Sequence, residues 1–136
     1  MADWTDRISS IVFTRIKNEF SSTLKTKYKM TDSNFSTVGS SDTPAVFPFV
    51  YVQILPGIET SEDLEGTSIN GALFTFQIDV TDNKSQTRAK EVMSEIKRIM
   101  KRMSFKIVSM PNFTDTKDTH RVTARFRRQI DKNDTL

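Results

Sequence analysis

Apolar and polar positions along this chain follow two periods, and the switch between them marks its central segment. From Leu73 to Val80 the period is two: Phe74, Phe76, Ile78 and Val80 share one side of an extended backbone, and Thr75, Gln77 and Asp79 the other. After a polar break at Thr81–Ser85 the period becomes three and four. Ala89, Val92, Met93, Ile96, Ile99, Met100 and Met103 recur at helical spacing among Lys, Arg and Glu. This predicts a half-buried strand, a capped turn and an amphipathic helix of about five turns that lays its Met and Ile stripe on a sheet.

The flanking segments fall into place around this unit. A helix is expected from Trp4 to about Leu24, with Ile8, Ile11, Val12, Ile16, Phe20 and Leu24 as its stripe, joined later by Phe13. Asp3 or Thr5 is placed to cap it. Lys25 to Pro44 reads as a connection with a short edge strand at Asn34–Val38. Val46–Leu55 reads as a strand, with regular pairing from Phe49 because Pro48 fits only a strand start or an edge. Residues 56–71 hold three glycines, four acids and no base, which reads as a flexible loop or protruding hairpin. Phe105–Met110 is expected as a strand closed by Pro111-Asn112, followed by a polar turn at Phe113–Thr119.

The last strand, His120–Ile130, puts Val122, Ala124, Phe126, Arg128 and Ile130 on one face, and Arg121, Thr123, Arg125, Arg127 and Gln129 on the other. A frayed polar tail, 131–136, is expected after it. The order α-β-β-β-α-β-β predicts a single α+β domain over residues 1–136. Its mixed β-sheet of four to five strands carries two helices packed on one face. The strand–helix–strand unit is expected to cross over right-handed if its two strands are parallel neighbours.

Composition narrows the function. Apolar residues make up 36% of the chain, and mean hydropathy is −0.45, low for a compact monomer. No apolar run approaches a membrane span, and Asp3, Asp6 and Arg7 leave no room for a signal-peptide core. A protein made in the cytoplasm, with no membrane partner, is the expectation. The net charge of +3 is uneven: residues 1–83 carry 6 basic and 11 acidic side chains, residues 84–136 carry 14 and 6. An acidic half and a basic half suit two ordinary solvated faces, a nucleic-acid partner, or head-to-tail pairing of unlike surfaces of one chain.

Candidate chemistry is sparse. With no Cys and a single histidine, His120, thiolate chemistry is unavailable and clustered metal ligands are not expected. Glu59, Glu62, Asp63 and Glu65 lack the alternating spacing of a calcium loop and read as a solvated acidic segment. Gly39, Gly57, Gly66 and Gly71 are too scattered for a phosphate loop. No catalytic, metal or cofactor site is expected, and no enzyme. Arg121, Arg125, Arg127 and Arg128, with Arg98, Lys101 and Arg102 at a helix end, raise a basic nucleic-acid-binding module as an alternative. The aromatics Phe74, Phe76 and Phe126, however, lie on faces assigned to the core, unlike an RNA-binding sheet.

Four segments in a fixed order resemble a known family. They are Val12-Phe13-Thr14-Arg15-Ile16-Lys17 in the first helix; Thr43-Pro44-Ala45-Val46-Phe47-Pro48-Phe49-Val50-Tyr51-Val52-Gln53; the aromatic strand with Asp79-Val80 and an Asn-Lys-Ser turn into Ala89-Lys90-Glu91-Val92-Met93; and His120-Arg121-Val122-Thr123-Ala124-Arg125-Phe126-Arg127. Together they resemble the tail terminator (tail completion) proteins of long-tailed, non-contractile phages, small α/β proteins that form a hexameric ring. His120 stands where that family often has an aromatic.

The resemblance implies a structural virion protein at the head-proximal end of the tail, present in the host cytoplasm during assembly. It would cap the tail tube, end tube growth and offer the surface that joins the head–tail connector. Its partners would be copies of itself in a ring, the tail tube protein and the connector. With this role the expected interface residues are Arg121, Arg125 and Arg127 against an acidic neighbour, and Glu59, Glu62, Asp63 and Glu65 lining or clasping a ring. A head–tail connector or adaptor is the alternative within the same class.

Overall fold

A computed structural model of the chain describes residues 7–37, 47–55, 58–62, 69–115, 119–131 and 136. The α+β class is as expected: one mixed sheet with helices on one side. The first helix, α1 (Ile8–Glu19), buries Ile8, Val12 and Ile16, whereas Ile11, expected in the stripe, is 40% exposed. Asp3 and Thr5 lie outside the described residues, and the N-cap position is Arg7, without a side-chain cap bond.

The expected continuation of α1 to Leu24 is interrupted. Phe20 turns extended (ψ 138°), seats its ring edge-on against Phe35 at 5.4 Å, and hands over to a short second helix, α2 (Ser22–Lys27). Ser21 caps α2 by accepting from the Leu24 amide, which explains the restart within an apolar period that looks continuous. A 3₁₀ turn at Asp32–Asn34 closes a capping box with Thr31, and the buried Asn34 side chain donates to the Pro48 carbonyl at 2.7 Å. The Phe47–Pro48 peptide is cis.

Among the described residues six strands follow: β1 (Phe35–Ser36), β2 (Phe49–Ile54), β3 (Ile58–Glu62), β4 (Ile69–Asp82), β5 (Lys106–Asp115) and β6 (His120–Asp131), with α3 (Gln86–Arg102) between β4 and β5. The sheet order is β1-β2-β4-β6-β5. β3 pairs with the first residues of β4 on the side that β2 occupies further along. Part of the expected loop is therefore the outer half of a long hairpin; residues 63–68 lie outside the described residues. β4 and β5 are each antiparallel to β6 and so parallel to one another, but β6 lies between them. The unit through α3 thus leaves a gap of one strand, which the last strand fills.

Two expectations about the C-terminal part are corrected. β5 does not stop at Pro111 but runs on to Asp115, with register shifts between Ile107 and Ser109 and between Ser109 and Asn112. A proline is compatible with a strand here because β5 is an edge strand, paired on one side only. The expected frayed tail is in part anchored: Asp131 still pairs with Gly71, and Leu136 packs against the core.

That core is continuous. Val50 and Val52 of β2, Phe74, Phe76, Ile78 and Val80 of β4, and Val122, Ala124, Phe126 and Ile130 of β6 meet the α3 stripe of Ala89, Val92, Met93, Ile96, Ile99, Met100 and the following Met103. α1 packs beside α3. The end of α3 is closed by Ser104 in the left-handed region (φ 64°), with the Ser104 amide bonded to the Lys101 carbonyl and the Phe105 amide to the Met100 carbonyl. This aims Phe105 into the core, edge-on to Phe76 at 5.6 Å.

Candidate interface on the uncovered sheet face

Strand alternation creates the site. Burying Val122, Ala124, Phe126 and Ile130 under α3 sends Arg121, Thr123, Arg125, Arg127 and Gln129 to the face that carries no helix among the described residues. Successive same-face residues stand ~7 Å apart at the usual strand rise. The register sets their neighbours: Arg121 stands opposite Thr81, Thr123 opposite Asp79, Arg125 opposite Gln77 and Arg127 opposite Thr75. One strand further, Tyr51 lies beside Asp79 and Gln53 beside Gln77. On the other side, Lys106 lies beside Arg127.

The three expected arginines are thus brought together on one exposed surface. Arg125 Nε donates to Gln77 Oε1 at 3.0 Å, a neutral partner. Thr123 Oγ1 donates to Asp79 Oδ1 at 2.5 Å, which engages a carboxylate lying within the row. Arg121 and Arg127 have no ion-pair partner among the described residues. Arg128, on the opposite face, folds back to the Met103 carbonyl at 2.7 Å and belongs to the scaffold.

The expected acidic residues are placed elsewhere. Glu59 and Glu62 are on β3, at register positions opposite Ala72 and Ile69, while Asp63 and Glu65 lie outside the described residues. β3 and β6 flank opposite sides of β4. From Ala72 to Thr81, the register partner of Arg121, is nine residues of strand, ~30 Å. Arg121 is therefore far along the sheet from the β3 register positions, while Thr75, the register partner of Arg127, is three residues from Ala72. Sequence reasoning had the Arg face and the Thr75, Gln77, Asp79 face as separate strand faces. It missed that they adjoin, and that Tyr51, Gln53 and Lys106 extend them, because strand order is not written in any local pattern.

On the helical side a second polar constellation joins α2 to α3. Tyr28 Oη donates to Glu91 Oε2, Lys27 Nζ lies 3.4 Å from the same oxygen, and the Arg88 guanidinium stands 4.8 Å from the Tyr28 ring centroid. The Tyr28 hydroxyl, with Lys27, holds the Glu91 carboxyl below the usual carboxylate range, while burial pushes the Tyr28 phenol up. An open groove of about 460 Å³ beside this contact is lined by Leu24, Thr87, Glu91, Ser94 and Arg98, among others. At the end of α1, the hydrogen bond from Arg15 lowers Glu19, and Arg102 stands 3.5 Å from it.

The turn into α3 carries a carboxylate the sequence showed only as part of a polar break. Asp82 is fully buried; its Oδ2 accepts from the amides of Lys84 and Ser85, and its Oδ1 faces Arg88 at 3.5 Å. Ser85 Oγ caps the helix from the Arg88 amide. A carboxylate three residues before a capping serine is a local signal for this arrangement that the reading of a polar break passed over. His120 Nδ1 is 2.9 Å from Asp115 Oδ1 across the start of the β5–β6 pairing.

Among the described residues, no group of three or more His, Asp or Glu is placed to hold a metal ion, and no helix is long and apolar enough to cross a membrane. The chain matches no protein-family model and no curated protein.

Proposed function

We propose that this chain is a structural virion subunit that caps the tail tube of a long-tailed phage. Six copies form a ring, end tube growth and present the surface to which the head–tail connector joins; the protein works through contacts and turns over no substrate. The observation that carries the reading is the uncovered sheet face. A sheet with helices, among the described residues, on one side only, whose other side bears Arg121, Arg125 and Arg127 on a single strand, offers a broad polar surface suited to another protein. The resemblance of the four sequence segments to tail terminators supplies the identity of that partner, and the low apolar content fits a subunit that completes itself by assembly.

The test is electron microscopy of purified tail tubes incubated with the full chain. A ring of additional density at one end, and tubes that stop elongating once it is added, are expected. Tubes that bind nothing at any ratio overturn the reading, and binding to DNA-filled capsids in place of tubes assigns the chain to the connector role.

A further inference from the structure

We infer that the arginine row of one copy receives the acidic β3 segment of a second copy, so that the subunits join head to tail. This inference rests on the reading of the chain as a self-assembling subunit and names the surface and the segment that meet.

The row is electrostatically unfinished. Arg121, Arg125 and Arg127 are exposed, with Lys106 exposed beside Arg127. Arg121 and Arg127 have no ion-pair partner among the described residues, Arg125 has only the neutral Gln77, and Asp79, the carboxylate among them, is engaged by Thr123. Guanidinium groups on a fixed strand are pre-aligned donors for carboxylate forks.

The complementary charge lies in the same chain. Residues 56–71 hold four acids and no base, and Glu59 and Glu62 stand on β3. The ~30 Å of β4 between the β3 register positions and Arg121 prevents the segment from neutralising the whole row of its own molecule. Each copy therefore carries one acidic segment and one basic row whose Arg121 end lies ~30 Å along the sheet from it. Pairing them in trans is a heterologous contact, the kind that generates rings when its rotation closes. A phosphate backbone is the other anion such a row attracts. Phe74, Phe76 and Phe126 are buried where a nucleic-acid platform would expose them.

Two charge-reversed proteins test this: a face variant, Arg121→Glu with Arg125→Glu, and an arm variant, Glu59→Arg with Glu62→Arg. Thermal unfolding matching the wild type serves as the folding control. Sedimentation velocity of the wild type over a concentration series at low salt is expected to show self-association that weakens at high salt. Each variant alone should associate roughly tenfold or more weakly. An equimolar mixture of the two should recover assembly, because each reversed face then meets a complementary arm.

A wild-type chain that is monomeric at every concentration overturns the inference. So do variants that associate like the wild type, or a mixture that fails to recover. Oligothymidylate binding that the face variant loses, without change in sedimentation, assigns the row to phosphate instead and also overturns it. Capping is read separately on tubes. A wild type that caps tubes while the mixture fails removes only the arm-to-row contact; a mixture that recovers while the wild type never caps removes only the capping role.

Discussion

The two faces of the central sheet are built from the same strands, and neighbouring residues serve opposite ends. In β4, Phe74, Phe76, Ile78 and Val80 are nearly or wholly buried beneath α3, while Thr75, Gln77 and Asp79 between them are half-exposed. In β6, Val122, Ala124 and Phe126 alternate in the same way with Arg121, Thr123 and Arg125. Each large side chain on the covered face contributes about 1.5–3 kcal/mol by leaving water. The open face contributes little to folding, so its residues are not held by packing. Buried and exposed positions thus alternate at single-residue resolution along one strand, and substitutions one position apart should have unrelated effects on stability.

The largest loss is expected from Phe76→Ala, which empties a fully buried site and removes the edge-on contact with Phe105. About 3–5 kcal/mol should disappear in urea unfolding, against under about 0.5 kcal/mol for Gln77→Ala next to it. Asp82→Ala removes the acceptor of two backbone amides and the buried neighbour of Arg88, and should cost about 1.5–3 kcal/mol in the same assay. Ser85→Ala, which removes the α3 cap, should cost about 1 kcal/mol.

A pH series sharpens the comparison on the helical side. Glu91 titrates below its ordinary value of 4.5 in the folded chain. Its contribution is complete above that value and is lost as pH falls through the lowered one. Urea midpoints should drop over that window, and Tyr28→Phe should flatten the drop. The smallest folding effect belongs to the face variant, Arg121→Glu with Arg125→Glu. Its unfolding midpoint should stay near that of the wild type, within about 0.5 kcal/mol per site. A large loss of stability there would break the distinction between the faces.

How much of this was legible in the sequence depends on whether a signal is local. The alternation in Leu73–Val80 and His120–Ile130 and the stripe of α3 are dictated by period, and the structure places them as the period says. The break at Phe20 was hidden because an apolar residue that leaves the helix to pack on Phe35 keeps the same spacing as one that stays in it. Pro111 read as a strand end because the loss of an amide donor is decisive only where both strand sides are paired, and only the strand order shows that β5 is at an edge. Ile11 read as core because the apolar period gives no width for the buried stripe. The arginine row was visible as a face, but its extension across β4 to Tyr51 and Gln53 required knowing which strands adjoin.

The irregular path of β5 has a consequence for how copies can accumulate. Its two register shifts and Pro111 spoil the regular ladder that a newcomer strand would copy, along the margin where the sheet would otherwise be most easily lengthened. Sideways recruitment into an endless ribbon is discouraged there.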